Sequence, residues 1–315
     1  MLLSVGVLSY NQLPYIKNCL DSILMQKVDF DYEIVVGDDC STDGTQIVLE
    51  DYQKRFPDKF VLLLKDRNEG ISKNYQNVLN HCKGKYVALC EGDDYWTAKD
   101  KLQTQIDFLE RHEDFGFVGT YSQLLFPDGQ VKEDAYDYLP KPETIDGWEL
   151  YGYVFEYVKS GPVTRTVSLC FRRSIIEPYI QYDGLGNDMV LQTVLARHSW
   201  FAKYKKPMTM YRQGGMSTDN NCFEKKMRYN EWYVRNRLLQ KELFPNDCNW
   251  DENELMDGGV YLKLCHAIQV KDWKKALSQK QLLKTDVYKR KNYSRFLFGP
   301  FSCLLLSFFM SVKHE

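Results

Sequence analysis

The stretch Lys85-Tyr86-Val87-Ala88-Leu89-Cys90 is an apolar strand pattern that runs straight into Glu91-Gly92-Asp93-Asp94-Tyr95-Trp96, setting three carboxylates at a strand end. Crowded carboxylates repel one another and raise their own pKa values unless a cation or a set of donors offsets the charge. Oxygen-only ligands suit magnesium or manganese, which are commonly held by one or two carboxylates while substrate phosphates and water complete the octahedron. The competing description is an acidic turn ahead of a helix that begins near Lys99, with Asp93 or Asp94 satisfying loop amides.

The segments before this stretch repeat its design three times. Leu2 to Leu8 is an apolar run that ends at Ser9-Tyr10-Asn11, after which Leu13, Ile16, Leu20, Ile23 and Leu24 recur at helical spacing. Glu33 to Gly37 leads into Asp38-Asp39-Cys40-Ser41-Thr42-Asp43-Gly44, a cluster of capping and turn residues, and then into a helical pattern. Lys59 to Leu64 is broken by Arg67-Asn68-Glu69-Gly70, and Tyr75, Val78, Leu79 and Cys82 mark the next helix. Four strands separated by helices predict an α/β fold with a mostly parallel sheet covered on both faces, because parallel neighbours need crossovers. Three polar loops then fall just beyond strand carboxyl ends, the edge at which open α/β sheets bind ligands. Neither a G-x-x-x-x-G-K-[ST] phosphate loop nor a G-x-G-x-x-G motif is present, so a nucleotide there would be held through metal and polar side chains.

A chain of 315 residues suits one large domain with an appendage, or two domains. With 41 basic against 43 acidic residues, no overall field favours nucleic acid, and no nucleic-acid partner is expected. The nine cysteines include no C-x-x-C pair and read as reduced, buried thiols rather than a zinc site or a disulfide framework. The amino terminus enters the first strand pattern without a basic leader, which predicts a cytoplasmic protein with no secretory signal.

Beyond a helix carrying Leu102, Ile106 and Leu109, the pattern changes. Phe115 to Phe126 followed by Pro127-Asp128-Gly129 reads as strand and turn, and Val131 to Trp148 as a loop over the pocket. Val163 to Phe171 alternates and predicts a further strand. Gly184-Leu185-Gly186-Asn187-Asp188 introduces a helix with Val190, Leu191, Val194 and Leu195, at whose start Asp188 would also serve as a capping or first-turn acid.

Together, Val5-Gly6-Val7-Leu8-Ser9-Tyr10-Asn11, Glu33 to Thr45, Arg67-Asn68-Glu69-Gly70 and Glu91-Gly92-Asp93-Asp94 resemble glycosyltransferase family 2, whose fold is GT-A. The resemblance spans residues 1–218: a nucleotide-sugar half over about 1–112 and an acceptor half over about 113–218. It implies a nucleotide-diphosphate sugar donor, a UDP-sugar by preference, a divalent cation (Mn2+ or Mg2+), and inverting transfer to a hydroxyl. By the same resemblance Ser9, Tyr10 and Asn11 pack around base and ribose, Asp39 hydrogen-bonds the base, and Asn68 and Gly70 belong to the donor site. Asp93 and Asp94 match the ribose and metal contacts, with Glu91 in place of the usual first Asp. Gly186-Asn187-Asp188 resembles the acidic pair whose second member is the catalytic base, here Asp188, and Asn187 stands where the first acid is usual. Lys206 to Ser217 resembles the family's Tyr-Arg segment and Gly-Gly-x-Ser turn, so that Arg212 meets the diphosphate; Gln213 stands where many relatives carry His. A carboxylate such as Asp188 within reach of the acceptor hydroxyl supplies general-base catalysis, and a single displacement inverts the anomeric centre without a covalent intermediate.

Residues 219–295 read as a helical extension, with Trp232, Leu238 and Leu239 among its packed positions. Four of the seven residues from Lys289 to Arg295 are basic, and a mostly apolar run follows to residue 312. Gly299-Pro300 interrupts that run, which is too short for a spanning helix of about 20 apolar residues. A basic flank before an apolar segment suits peripheral contact of residues 289–312 with the inner face of the cell membrane; a tail docked on protein is the other option. The expected role is transfer to a glycan or lipid-linked glycan in bacterial surface polysaccharide synthesis. The rival is a noncatalytic sugar-nucleotide-binding or membrane-docking subunit; a nucleotidyltransferase fits less well, since no Gly-rich basic loop is present to receive a triphosphate.

Overall fold

Strands β1 (Leu3–Ser9), β2 (Tyr32–Asp38), β3 (Phe60–Leu64) and β4 (Tyr86–Glu91) alternate with helices α1 (Ile16–Leu24), α2 (Thr45–Arg55) and α3 (Ile71–His81). They pair in parallel in the order β3-β2-β1-β4. Every residue of β1 and β2 is buried, as expected of strands covered on both faces. At Gly37 of β2 a Cβ would lie 2.5 Å from both Asn74 and Val78 of α3. Only glycine admits the helix at this distance, and Asn74 Nδ2 donates to the Gly37 carbonyl at 2.8 Å. The register sets Ser9 opposite Asp38 and Leu8 opposite Glu91, so the three polar loops leave the same edge.

The computed structural model describes residues 1–134, 139–158, 161–182, 184–213 and 223–248, with single positions as far as 278. The chain divides into two compact units, Met1–Gly215 and Met216–Glu315. The expected turn at 214–217, most of the helical extension beyond 248, the basic flank 289–295 and the apolar tail 296–312 lie outside the described residues.

The rest of the first unit extends the sheet. It comprises β5 (Tyr95–Trp96), α4 (Lys101–Arg111), β6 (Phe115–Leu125), β7 (Val131–Glu133), β8 (Glu143–Ile145), β9 (Trp148–Gly152), the short α5 (Phe155–Val158), β10 (Cys170–Arg172), the short α6 (Arg173–Ile176), α7 (Asp188–His198) and β11 (Trp200–Arg212). β10 runs antiparallel between β4 and β6, β11 runs parallel to β6 and antiparallel to β9, and β5 pairs with the far end of β11. The sheet is therefore mixed, with its parallel part on the side of the polar loops. Pro207, which has no N–H to donate, sits at a break in the β11 register.

Two expectations need correction. Val131 to Trp148 is not simply a loop: β7 pairs with β6, and β8 with β9. Val163 to Phe171 is a strand only from Cys170 onward, and Thr166–Ser168 is a 3-10 turn. Side chains satisfy this backbone instead of a ladder. Gln192 pairs with Val163 and Thr164, Trp96 Nε1 donates to the Val167 carbonyl at 2.9 Å, and Gln105 Nε2 to that of Ser168 at 2.8 Å. The alternation of hydroxyl and apolar residues was thus a loop pattern, with Thr164 and Ser168 hydroxyls bonded to each other at 2.7 Å.

The second unit contributes α8 (Phe223–Leu243). Leu238 is exposed rather than packed, while Asn236, Arg237 and Gln240 are buried. No helix among the described residues is long and apolar enough to cross a membrane.

Candidate active site

The loop after β1 is stitched to the loop after β2. Asn11, at φ +52°, gives its N–H to Ser41 Oγ at 2.8 Å and accepts the Thr42 N–H at 2.9 Å. Asp38, fully buried, holds the second loop by accepting from Ser41 and from Gln46 Nε2. Tyr10 is left 41% exposed at the mouth, free to meet a ligand, whereas Ser9 is buried and its hydroxyl has no hydrogen-bond partner. Asp39 draws in a third loop: its two carboxylate oxygens accept the N–H groups of Glu69 at 2.9 Å and Gly70 at 2.8 Å, and its carbonyl accepts from Asn68 Nδ2 at 3.2 Å. Gly70 can serve because its φ of +90° is open to glycine. Ser9, Tyr10, Asn11, Asp39, Asn68 and Gly70 therefore share one edge, with Asp39 already committed to two amides and left with spare lone pairs.

The acidic stretch turns at the end of β4, where the Gly92 N–H donates to the Leu8 carbonyl at 2.8 Å and that of Asp94 to the Glu91 carbonyl at 2.9 Å. Asp94 is 2% exposed; its Oδ1 accepts the Arg212 N–H, and its Oδ2 is buried without a partner. Glu91 Oε2 is likewise buried without a partner. Burial pushes the Glu91 carboxyl up to about 8, helped by the charges of Asp93 and Asp188. Asp94 is raised well above the carboxylate range by burial, then by Glu91 and Asp93. Asp93, more open, is raised by burial and opposed by Arg212.

Asp188 reaches this cluster through a close backbone contact. A Cβ on Gly186 would lie 1.8 Å from the Ser72 carbonyl oxygen, so the loop before α7 presses on the first turn of α3. Asn187 is the N-cap, and its Oδ1 and that of Asp188 both accept the Met189 N–H. The carboxyl of Asp188 is raised by burial and lowered by the Met189 N–H and by Arg165. Tyr75 lies among these groups: burial raises its phenol first, then Glu91 and Asp188, and its hydroxyl has no hydrogen-bond partner. The capping role therefore goes chiefly to Asn187, leaving Asp188 a partly buried acid facing other acids.

Arg212, at the end of β11, lies 4.9 Å from the Tyr15 ring centre and 5.1 Å from that of Tyr95. It forms no ion pair among the described residues, and its Nε is buried without a partner. A guanidinium between two rings, beside Asp93 and without a carboxylate of its own, is a ready site for an anion. Sequence patterns did not point to Tyr15, Tyr75 or Arg165 as site residues. Only Tyr95 carried a signal, as the neighbour of the acidic run.

No three His, Cys, Asp or Glu side chains among the described residues group as a metal site by themselves. The donors that are present still fit a hard cation. Two orphaned carboxylate oxygens and the raised carboxyls of Asp93 and Asp94 call for positive charge, and one or two carboxylates are what magnesium-type ions need when phosphates supply the rest.

A mixed, mostly parallel sheet flanked by helices, with an acidic turn and a second acid over its carboxyl edge, is the GT-A glycosyltransferase architecture. Residues 4–159 match the family model "Glycosyl transferase family 2", and the chain belongs to that family. Staphylococcus aureus TarS 1-349, solved in complex with UDP-GlcNAc, superposes with a TM-score of 0.61 at 16% identity, covering 92% of this chain and 83% of that one. The mannosyltransferase PcManGT of Pyrobaculum calidifontis, in complex with GDP-Man and Mn2+, gives 0.53 at 16% identity, covering 96% and 86%. The putative teichuronic acid biosynthesis glycosyltransferase TuaG of Bacillus subtilis is 36% identical over 146 residues, 46% of this chain and 56% of TuaG. An uncharacterised Mycobacterium tuberculosis protein is 38% identical over 127 residues, 40% of this chain and 37% of that protein. The matched region thus spans only about a third to a half of these curated relatives' length.

Proposed function

We propose that the chain is a metal-dependent, inverting glycosyltransferase that moves a sugar from a nucleotide-diphosphate donor, a UDP-sugar, to a hydroxyl of a glycan or lipid-linked glycan. The observation that carries this is the acidic turn Glu91-Gly92-Asp93-Asp94 at the carboxyl edge of the sheet, with two buried carboxylate oxygens left without partners and Arg212, which forms no ion pair among the described residues, tied to it through Asp94. Donors in TarS and PcManGT, a UDP-sugar and a GDP-sugar respectively, favour a nucleotide sugar. The likeness to TuaG, a putative teichuronic acid biosynthesis glycosyltransferase, favours a polysaccharide as the product.

In this reading Tyr10, Asn11, Asp39 and the Asn68–Gly70 loop receive base and ribose. Asp93, the more open of the two, and Asp94 would hold an Mn2+ or Mg2+ ion, and Asp94 also fixes the Arg212 backbone. The chemistry such an ion supplies when bound is neutralisation of charge on the leaving diphosphate. Arg212 shares that role through its guanidinium. Asp188 accepts the proton of the acceptor hydroxyl as the hydroxyl oxygen bonds to the anomeric carbon and the bond to the diphosphate oxygen breaks. Residues 289–312 bring the enzyme to the inner face of the membrane, where a lipid-linked acceptor would lie.

The test is calorimetric titration of purified protein with UDP, with and without Mn2+, beside Asp93→Ala and Asp188→Asn. Metal-dependent binding lost in Asp93→Ala, and retained in Asp188→Asn while transfer is lost, is the expected pattern. Binding that ignores both metal and Asp93 would remove the metal assignment. Binding without transfer from any donor would favour a noncatalytic sugar-nucleotide subunit.

A further inference from the structure

Helix α3 presents two faces. One packs on the sheet, where Asn74 and Val78 cover Gly37 of β2, and Val78 and Cys82 approach Gly6 of β1. The other carries Ser72, Gln76 and Asn80, each four residues from the last and therefore in one stripe along the helix. Residues 180–182 and 184–187, which lead into α7, are fastened to that stripe. Gln76 Nε2 donates to the Ile180 carbonyl at 3.0 Å and to the Tyr182 carbonyl at 3.4 Å, and Gln181 Nε2 donates to Asn80 Oδ1 at 3.4 Å. At the amino end of the stripe Gly186 bears on the Ser72 carbonyl, with no space for a side chain between them.

The cores of the two helices do not ask for these contacts. Tyr75, Val78 and Leu79 bury α3, and Val190, Leu191, Val194 and Leu195 bury α7. What the stripe fixes is the connecting chain. Gln76 is partly buried and makes two bonds, both to backbone carbonyls, so it acts on the path of the chain rather than on one side chain. The same helix also begins at the donor edge: Gly70, the residue before α3, gives its N–H to Asp39 Oδ2 at 2.8 Å. Six residues of helix, about 9 Å, then separate the Asp39 grip from the Gln76 fastening.

We propose that Gln76 is a positioning residue for sugar transfer: by fixing the Ile180 and Tyr182 carbonyls on α3, it sets where Asp188 stands relative to the nucleotide loops. This rests on the reading of Asp188 as the base.

The experiment compares full-length wild type with Gln76→Leu, which removes the donor and keeps bulk in a helix former, and with Gln76→Lys, whose ammonium can donate to the same carbonyls. Amide hydrogen exchange is followed over residues 180–188. Turnover is read as UDP released from UDP-GlcNAc and other UDP-sugars, with kcat and KM separated, and UDP affinity by calorimetry with Mn2+. Gln76→Leu should speed exchange at 180–188 about fivefold or more, the scale of two modest hydrogen bonds, while β1 to β4 exchange as in wild type. Its kcat should fall about tenfold or more through misplacement of the base, with donor KM and UDP affinity within about twofold. Gln76→Lys should recover both exchange and kcat, which a merely structural loss of stability would not predict. A folded Gln76→Leu protein with unchanged exchange at 180–188, or with faster exchange and wild-type kcat, would overturn the proposal. Should Gln76→Leu fail to fold, Gln76→Ala makes the same comparison. Turnover retained by Asp188→Asn, or absent from wild type with every UDP-sugar, would remove the reading on which the proposal rests, and the proposal with it. The exchange difference at 180–188 would survive either result, which tells the two failures apart.

Discussion

Arg212 donates its backbone N–H to Asp94 Oδ1 at 2.8 Å, which closes the end of β11 onto the turn after β4. One buried carboxylate thus joins residues 118 positions apart and brings a guanidinium to the acidic turn. Asp94→Ala should cost about 1–3 kcal/mol, the range for leaving a buried polar group without its partner, and weaken UDP binding by releasing Arg212. Asp94→Asn, which can still accept through Oδ1, should be at least as stable as wild type in metal-free buffer because it has no acid whose ionised form burial would oppose. Thermal melts and calorimetry check both.

Arg212 is set by two rings rather than by a carboxylate, so its charge remains available to the ligand. Arg212→Ala should weaken UDP about tenfold or more, within the scale of a charge-assisted contact, and leave uridine unaffected. Equal losses for UDP and uridine would place Arg212 on the nucleoside instead. Tyr15→Ala should give part of the same effect.

Glu91 gives the pH dependence. Its folded carboxyl titrates near about 8 against an ordinary value of 4.5. The native protein therefore binds a proton in a range where the unfolded chain does not, and stability falls as pH rises from about 4.5 to about 8. Glu91→Gln should flatten this decline. In EDTA, its melting temperature should match wild type near pH 4 and exceed it near pH 8.5; a gain at the acidic end alone would reverse the sign.

Gly186 has no room for a side chain, its hypothetical Cβ meeting a backbone oxygen at 1.8 Å. Gly186→Ala must move the loop that delivers Asp188, since a carbonyl of α3 cannot rotate away as a side chain would. Transfer should drop at least about a hundredfold, as a 1 Å misplacement can cost, while UDP affinity changes little. A variant with normal turnover would show that α7 is not positioned by this contact.

Much of the first half of the sheet could be read without coordinates, for a local reason. In β1 to β4 the buried runs, the turn residues and the helices all lie within short spans of chain, and the polar loops of the candidate site follow directly on strands. Parallel strands buried on both faces leave a strong apolar signal, and loops at their carboxyl ends are placed by topology alone. The second half is less legible because its contacts are not local. Val163 to Ser168 alternates as a strand would, yet Gln192, Trp96 and Gln105 take up its backbone from three distant elements.

By itself, then, the sequence determined the α/β class, the polar loops at the carboxyl ends of the first strands with Asp93 and Asp94 in one of them, and Asp188 at the start of a helix. Only the tertiary structure decided that Asp39 spends its oxygens on the Glu69 and Gly70 amides, that Tyr75 stands among the acids, and that Asp94 ties down Arg212. The physical reason is that periodicity records which face of an element is buried. Which polar group meets which across the fold depends on packing between elements remote in the chain, and that leaves no periodic trace.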